Sequence, residues 1–156
     1  MSLSLPALLL ALSGASAAPD TSDCAAAARF LRDERRMTAV VEPDTIDDWR
    51  TGKRVAGCRV TAAATTTLSV KAEAIRFYEL LRAAGWTRTP EPRDSPNEAS
   101  LRFRREKSDC LFNVNAEAML MTDAEFKVTD AVTPAAGETR YHMFVMCMPA
   151  MPAAPQ

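Results

Sequence analysis

Four cysteines, one histidine and a methionine-rich stretch near the C-terminus are the residues of this chain with the sharpest chemistry. Cys24, Cys58, Cys110 and Cys147 form no Cys-x-x-Cys pair, which argues against a zinc ribbon or a thioredoxin-type redox site. Four is an even number, and in an exported chain it predicts two disulfides with three possible connectivities. His142 is the only histidine, so any Ser-His-Asp or Cys-His relay would have to use it. It stands between Tyr141 and Met143 with no Gly-x-Ser-x-Gly nearby, and a structural role is expected. There is no phosphate loop, dinucleotide fingerprint, His-Glu-x-x-His or calcium loop. No catalytic residue and no cofactor are therefore assigned, and the chain is not expected to be an enzyme.

Soft thioether donors suit Cu(I), and His142, Met143, Met146, Met148 and Met151 are close together in sequence. On a strand Met143 and Met146 would point to opposite faces, which favours packing over ligation. No metal ligand is assigned, and a small-ligand or copper-binding module stands as the alternative function. Among the carboxylates, adjacent Asp47 and Asp48 do not share a face. Arg93, Asp94, Asn97 and Glu98 lie in or beside the proline-rich stretch 89–97, a predicted loop. Arg102 and Arg104 lie on the segment that follows it. Arginine is suited to bidentate capture of carboxylates, and loops on rigid scaffolds often carry recognition. These six residues form the candidate binding patch. Trp86 is expected in the core, and Trp49 against the first helix, with an exposed anchor as the alternative for Trp49.

The elements that must position these groups begin with 68–86, the clearest amphipathic helix. Val70, Ala74, Phe77, Tyr78, Leu81 and Ala84 share one face, while Lys71, Glu73, Arg76, Glu79 and Arg82 lie mostly on the other. Ser69 is a cap and Gly85 a left-handed terminus, with Trp86 folding back on the last turn. A short helix is predicted from Cys24, a brief extended segment over 37–41 ended by Pro43, a turn over 45–53, and a strand over 55–62. Alternation predicts strands over 99–105 and 110–116, joined by a turn, and a weaker one over 124–132 with Phe126 and Val128 inward. Residues 139–148 are apolar on both faces and read as a central strand. The sum is an α+β fold: an antiparallel sheet of four to five strands, one main helix (about 69–84) on one face, and a short N-terminal helix. If the strands bearing Cys110 and Cys147 lie close and antiparallel, those two cysteines meet, leaving Cys24 for Cys58. The main competing pair is Cys58 with Cys147.

Residues 1–18 read as a secretory signal peptide: an apolar run from Leu3 to Leu12, then small residues around Ala15-Ser16-Ala17. No Lys or Arg precedes the run, so the true start codon is open. Residues 19–148 read as one disulfide-stabilised domain, and 149–156 as a flexible Ala/Pro tail. No second run is long enough to cross a membrane. Alanine and arginine usage suggests a bacterial chain and a periplasmic or secreted location. Net charge is −1, from 19 basic and 20 acidic side chains, which offers no field to attract nucleic acid. The function expected is a non-catalytic binding domain recognising a protein or envelope component, with an inhibitor or immunity protein as its narrower version.

Overall fold

A computed structural model describes residues 20–89 and 100–152; the signal-peptide segment and most of the proline-rich loop lie outside these. Among the described residues, six strands form one antiparallel sheet in the order β1-β2-β6-β5-β4-β3. They are β1 (Thr38–Asp48), β2 (Lys53–Thr66), β3 (Thr87–Arg88), β4 (Ser100–Arg105), β5 (Ser108–Asn115) and β6 (Thr139–Pro149). The helices are α1 (Ala25–Arg29), extended by a π-helical turn over Phe30–Glu34, then α2 (Val70–Ala83) and α3 (Asp123–Asp130).

The fold is α+β and antiparallel as expected, with six strands rather than four to five. The extra length comes from the hairpin β1–β2. Pro43 does not end β1; it pairs opposite Cys58. An edge strand has one side without a sheet partner, so it tolerates a residue lacking an N–H. The region expected as a turn over 45–53 is mostly strand, with the turn itself at residues 49–52. The second correction is 124–132, which forms α3 and not a strand. Val128 is inward, but Phe126 faces solvent.

Helix α2 forms where its spacing predicts. Ser69 Oγ accepts from Ala72 N–H, Gly85 has φ +85°, and Trp86 N–H donates to Leu81 O at 3.1 Å. The helix carries the chain from β2 across the sheet to the far edge at β3. Its apolar stripe meets α1 and the sheet: Phe77 lies 5.5 Å from Phe30 and 5.7 Å from Phe112, and Tyr78 stacks on Phe103 at 5.7 Å. Trp86 is buried edge-on to Phe112. Each such side chain contributes about 1.5–3 kcal/mol by burial.

Strand β6 enters last and takes the centre, between β2 and β5. Tyr141, Met143, Val145 and Cys147 join the core under α2, while His142, Phe144, Met146 and Met148 face the other way. Gly57 marks how closely β2 approaches it: a Cβ there would sit 2.4 Å from the Cys147 carbonyl oxygen. The disulfides are Cys24–Cys58 and Cys110–Cys147, the connectivity favoured by element placement. Cys58 and Cys110 flank Cys147 directly across the two strand pairs. Pro149 belongs to β6, and Ala150 and Met151 are tied down by hydrogen bonds to Lys107 O and Asp109 Oδ2. Among the described residues no helix is long and apolar enough to cross a membrane. Two disulfides fit an oxidising compartment.

Candidate functional site

The face of the sheet opposite α2 holds the two predicted binding residues that fall within the described chain, Arg102 and Arg104, while the four disulfide cysteines lie in the core on the α2 side. Arg93, Asp94, Asn97 and Glu98 lie outside the described residues. Arg102 and Arg104 alternate with Leu101 and Phe103 on β4, so they face away from the core. Neither is an open surface charge. Arg102 is buried, with its guanidinium 5.2 Å from the centroid of the Trp49 ring and Nη1 3.6 Å from Met148 Sδ. Arg104 grips Asp109 with Nε at 2.6 Å and Nη2 at 2.9 Å.

Asp109 also accepts from Arg50 Nη1 at 2.7 Å and from Met151 N–H at 3.2 Å. Arg50 in turn donates Nε to Asp48 Oδ1 at 2.8 Å. This network ties the β1–β2 turn and the C-terminal segment across β4, β5 and β6. Burial alone would raise the Asp109 and Asp48 carboxyls. The guanidiniums beside them outweigh it, and both sit below the usual carboxylate range. Asp47 points away and pairs with exposed Arg54 at 3.3 Å, so Asp47 and Asp48 form no acid/base pair. Trp49 is not packed on the first helix. The turn lays it on Arg102, where it stays 41% exposed.

The methionine-rich strand splits its donors. Met143 is in the core, Met148 is buried and accepts from Arg50 Nη2 at 3.4 Å, and Met146 is half-buried on the opposite face from Met143. His142 is buried with no partner for Nδ1. Burial holds its pKa below the ordinary value, helped by Arg140 and opposed by Glu125. Among the described residues no three His, Cys, Asp or Glu side chains are placed to hold a metal.

Two arrangements went unread in the sequence. The first precedes α3. Thr122 caps that helix, its Oγ1 accepting from Glu125 N–H at 3.3 Å. The buried Glu125 carboxylate reaches back and accepts Met119 N–H at 2.9 Å and Leu120 N–H at 2.7 Å. Met121 adopts φ +53° to make the bend. The Thr-x-x-Glu spacing is a capping-box signature and was the available signal. The outcome is a fixed loop whose side chains point out: Met119 is 68% exposed, Leu120 45% and Met121 67%, with Phe126 at 47% on α3. These are four of the six large apolar side chains exposed among the described residues. Around them the exposed charges are Glu117, Asp123 and Asp130 against Lys127.

The second is a buried ion pair. Glu73 accepts from Arg35 Nη2 and from Thr66 Oγ1 at 2.8 Å, with Tyr141 Oη 3.4 Å from the same Arg35 nitrogen. It belongs to the interior and not, as expected, to the polar face of α2.

No protein-family model matches the chain, no curated protein matches it, and no solved structure matches it. Its class thus rests on its own geometry: a disulfide-bonded α+β domain with one antiparallel sheet, helices against both faces, and its buried charges largely paired internally.

Proposed function

We propose that this chain is an exported, non-catalytic binding domain that recognises a protein in the periplasm or outside the cell. An inhibitor or immunity protein is the narrower version of that reading. The observation that carries it is the Met119–Leu120–Met121 segment. Large exposed apolar side chains that cluster mark interaction sites more often than scattered ones do. Here a buried carboxylate and a left-handed residue hold the cluster in one shape. Pre-ordering of this kind lowers the entropy lost on binding. Exposed Trp49, resting on Arg102, supplies a second anchor of the type enriched in binding hot spots. It extends the patch proposed for Arg93, Asp94, Asn97, Glu98, Arg102 and Arg104, with the two β4 arginines acting as its support.

The test uses the tagged mature chain against envelope extract, comparing the wild type with Leu120→Asp and Trp49→Ala. Both side chains are exposed, so both variants should fold, as checked by circular dichroism. A partner retained by the wild type is expected to weaken about tenfold or more with Leu120→Asp, as for a hot-spot residue. Equal retention by Leu120→Asp and by Met121→Asp overturns the reading.

A further inference from the structure

All the methionines but Met1 lie among the described residues, and burial sorts their sulfurs sharply. Met37, Met143 and Met148 are buried, and Met146 and Met151 are half-buried. Met119 and Met121 alone among the described methionines stand in solvent, on either side of Leu120 in the loop before α3. The chain has no free thiol, because all four cysteines are closed in disulfides. A reactive cysteine is ordinarily the first side chain that a two-electron oxidant consumes. With none present, an exposed thioether is the next target. The aromatic competitors are shielded: Trp86, Tyr78, Tyr141 and His142 are buried, and Trp49 lies against the Arg102 guanidinium.

The shape of this loop does not depend on either sulfur. The Met119 and Leu120 N–H groups are held by the Glu125 carboxylate, and Thr122 caps the helix that follows. Both methionine side chains lie outside the hydrophobic core. A change in their chemistry therefore alters the surface and leaves the interactions that order the loop in place.

We propose that Met119 and Met121 form a reversible oxidation site, at which a peroxide or hypochlorous acid converts the exposed apolar surface to a polar one while the fold is kept. Each thioether sulfur gives up two electrons and takes one oxygen atom from the oxidant. Hydrogen peroxide breaks its O–O bond and leaves as water; hypochlorous acid breaks its O–Cl bond and leaves as chloride and a proton. Methionine sulfoxide reductases, one for each sulfoxide epimer, reverse the change. A dithiol then becomes a disulfide and the oxygen leaves as water. The sulfoxide is a polar acceptor, and burying it against a partner without a matching donor is unfavourable. The modification itself stands on exposure and the loop scaffold; only its effect on binding rests on the protein-recognition reading above.

The mature chain with both disulfides intact is treated with hydrogen peroxide, and peptide mapping by mass spectrometry follows the gain of oxygen at each methionine. Met119 and Met121 are expected to react about tenfold or more faster than Met37, Met143 and Met148, since susceptibility follows exposure. Circular dichroism and the melting temperature should be unchanged when those two sites are full. On a hydrophobic-interaction column the oxidised chain should elute earlier, and treatment with both sulfoxide reductases should restore its position. A double variant, Met119→Leu with Met121→Leu, keeps the surface apolar without sulfur, and its elution should not respond to peroxide. Equal reaction rates at the exposed and buried methionines, loss of the fold on oxidation at 119 and 121, or an unshifted elution of the oxidised wild type overturns the proposal. Selective oxidation with shifted elution supports it even where Leu120→Asp leaves partner retention unchanged, a result that overturns only the recognition reading.

Discussion

Asp48, Glu73, Arg102, Asp109, Glu125 and His142 are all buried, and each case is decided by its partners. Asp109 is fully buried and survives as a carboxylate because two guanidiniums and a backbone N–H surround it. His142 has no such compensation. Its pKa is depressed in the folded chain from the model-compound value of 6.5, chiefly by burial. The unfolded chain therefore takes up this proton first as pH falls below 6.5. Its stabilising contribution is complete above 6.5 and is lost as pH falls toward the folded value. Thermal melts between about pH 7.5 and about pH 5 should show a falling Tm in the wild type. That part of the slope should vanish in His142→Gln; identical slopes in both would refute the assignment. Asp48 and Asp109 act in a separate pH window. Their depressed carboxyls stabilise the fold above 3.8 and lose that effect below it. Alternation in the sequence revealed that Arg102 and Arg104 oppose Leu101 and Phe103, but not that the hairpin turn covers them. That contact joins residues about fifty positions apart, and no local pattern encodes it. Glu73 was different. It lies four residues before Phe77 and eight before Leu81, on the same stripe, and its charge alone disguised the fact.

At the level of elements, long periodic segments were readable and short ones were not. Helix α2 has four turns of consistent spacing, a serine cap and a glycine stop, so local preference and tertiary demand coincide. Strand β6 was readable as central because both of its faces are apolar. The segment 123–130 offers only two turns, and its alternating Phe126 and Val128 imitate a strand. The capping interactions decide it: the Thr122 and Glu125 side chains satisfy three otherwise open backbone N–H groups at once. Glu125→Ala should accordingly release the Met119 and Leu120 amides. Losing two charge-assisted bonds in a buried setting should cost about 2–4 kcal/mol. Hydrogen exchange should accelerate at 119, 120 and α3 while the β2–β6 ladder stays protected. Unchanged protection at 119 and 120 would show that the clamp is not what orders this loop. Strand β1 was underestimated for a similar reason. Pro43 looks like a terminator until the strand is known to lie at the edge, where the missing donor has no ladder to break.

For the molecule as a whole, the two disulfides enclose loops of similar length, with sequence separations of 34 and 37. The chain-entropy account assigns each about 4 kcal/mol. A domain of this size holds about 5–15 kcal/mol in total. Replacing either pair by alanine should lower the urea midpoint sharply, and replacing both should leave a chain without a cooperative transition. A cooperative, native-like melt in the variant lacking all four cysteines would contradict this. The layout of the sulfurs carries one more consequence. Cys147 is flanked by Cys58 on one side and Cys110 on the other, so the finished sheet would bring the wrong pair together as readily as the right one. Yet the native bonds join the first cysteine to the second and the third to the fourth. A chain emerging N-terminus first meets its correct partners in that order. In that order Cys58 can be taken before Cys147 arrives, so pairing consecutive cysteines calls for no bond to be broken and remade.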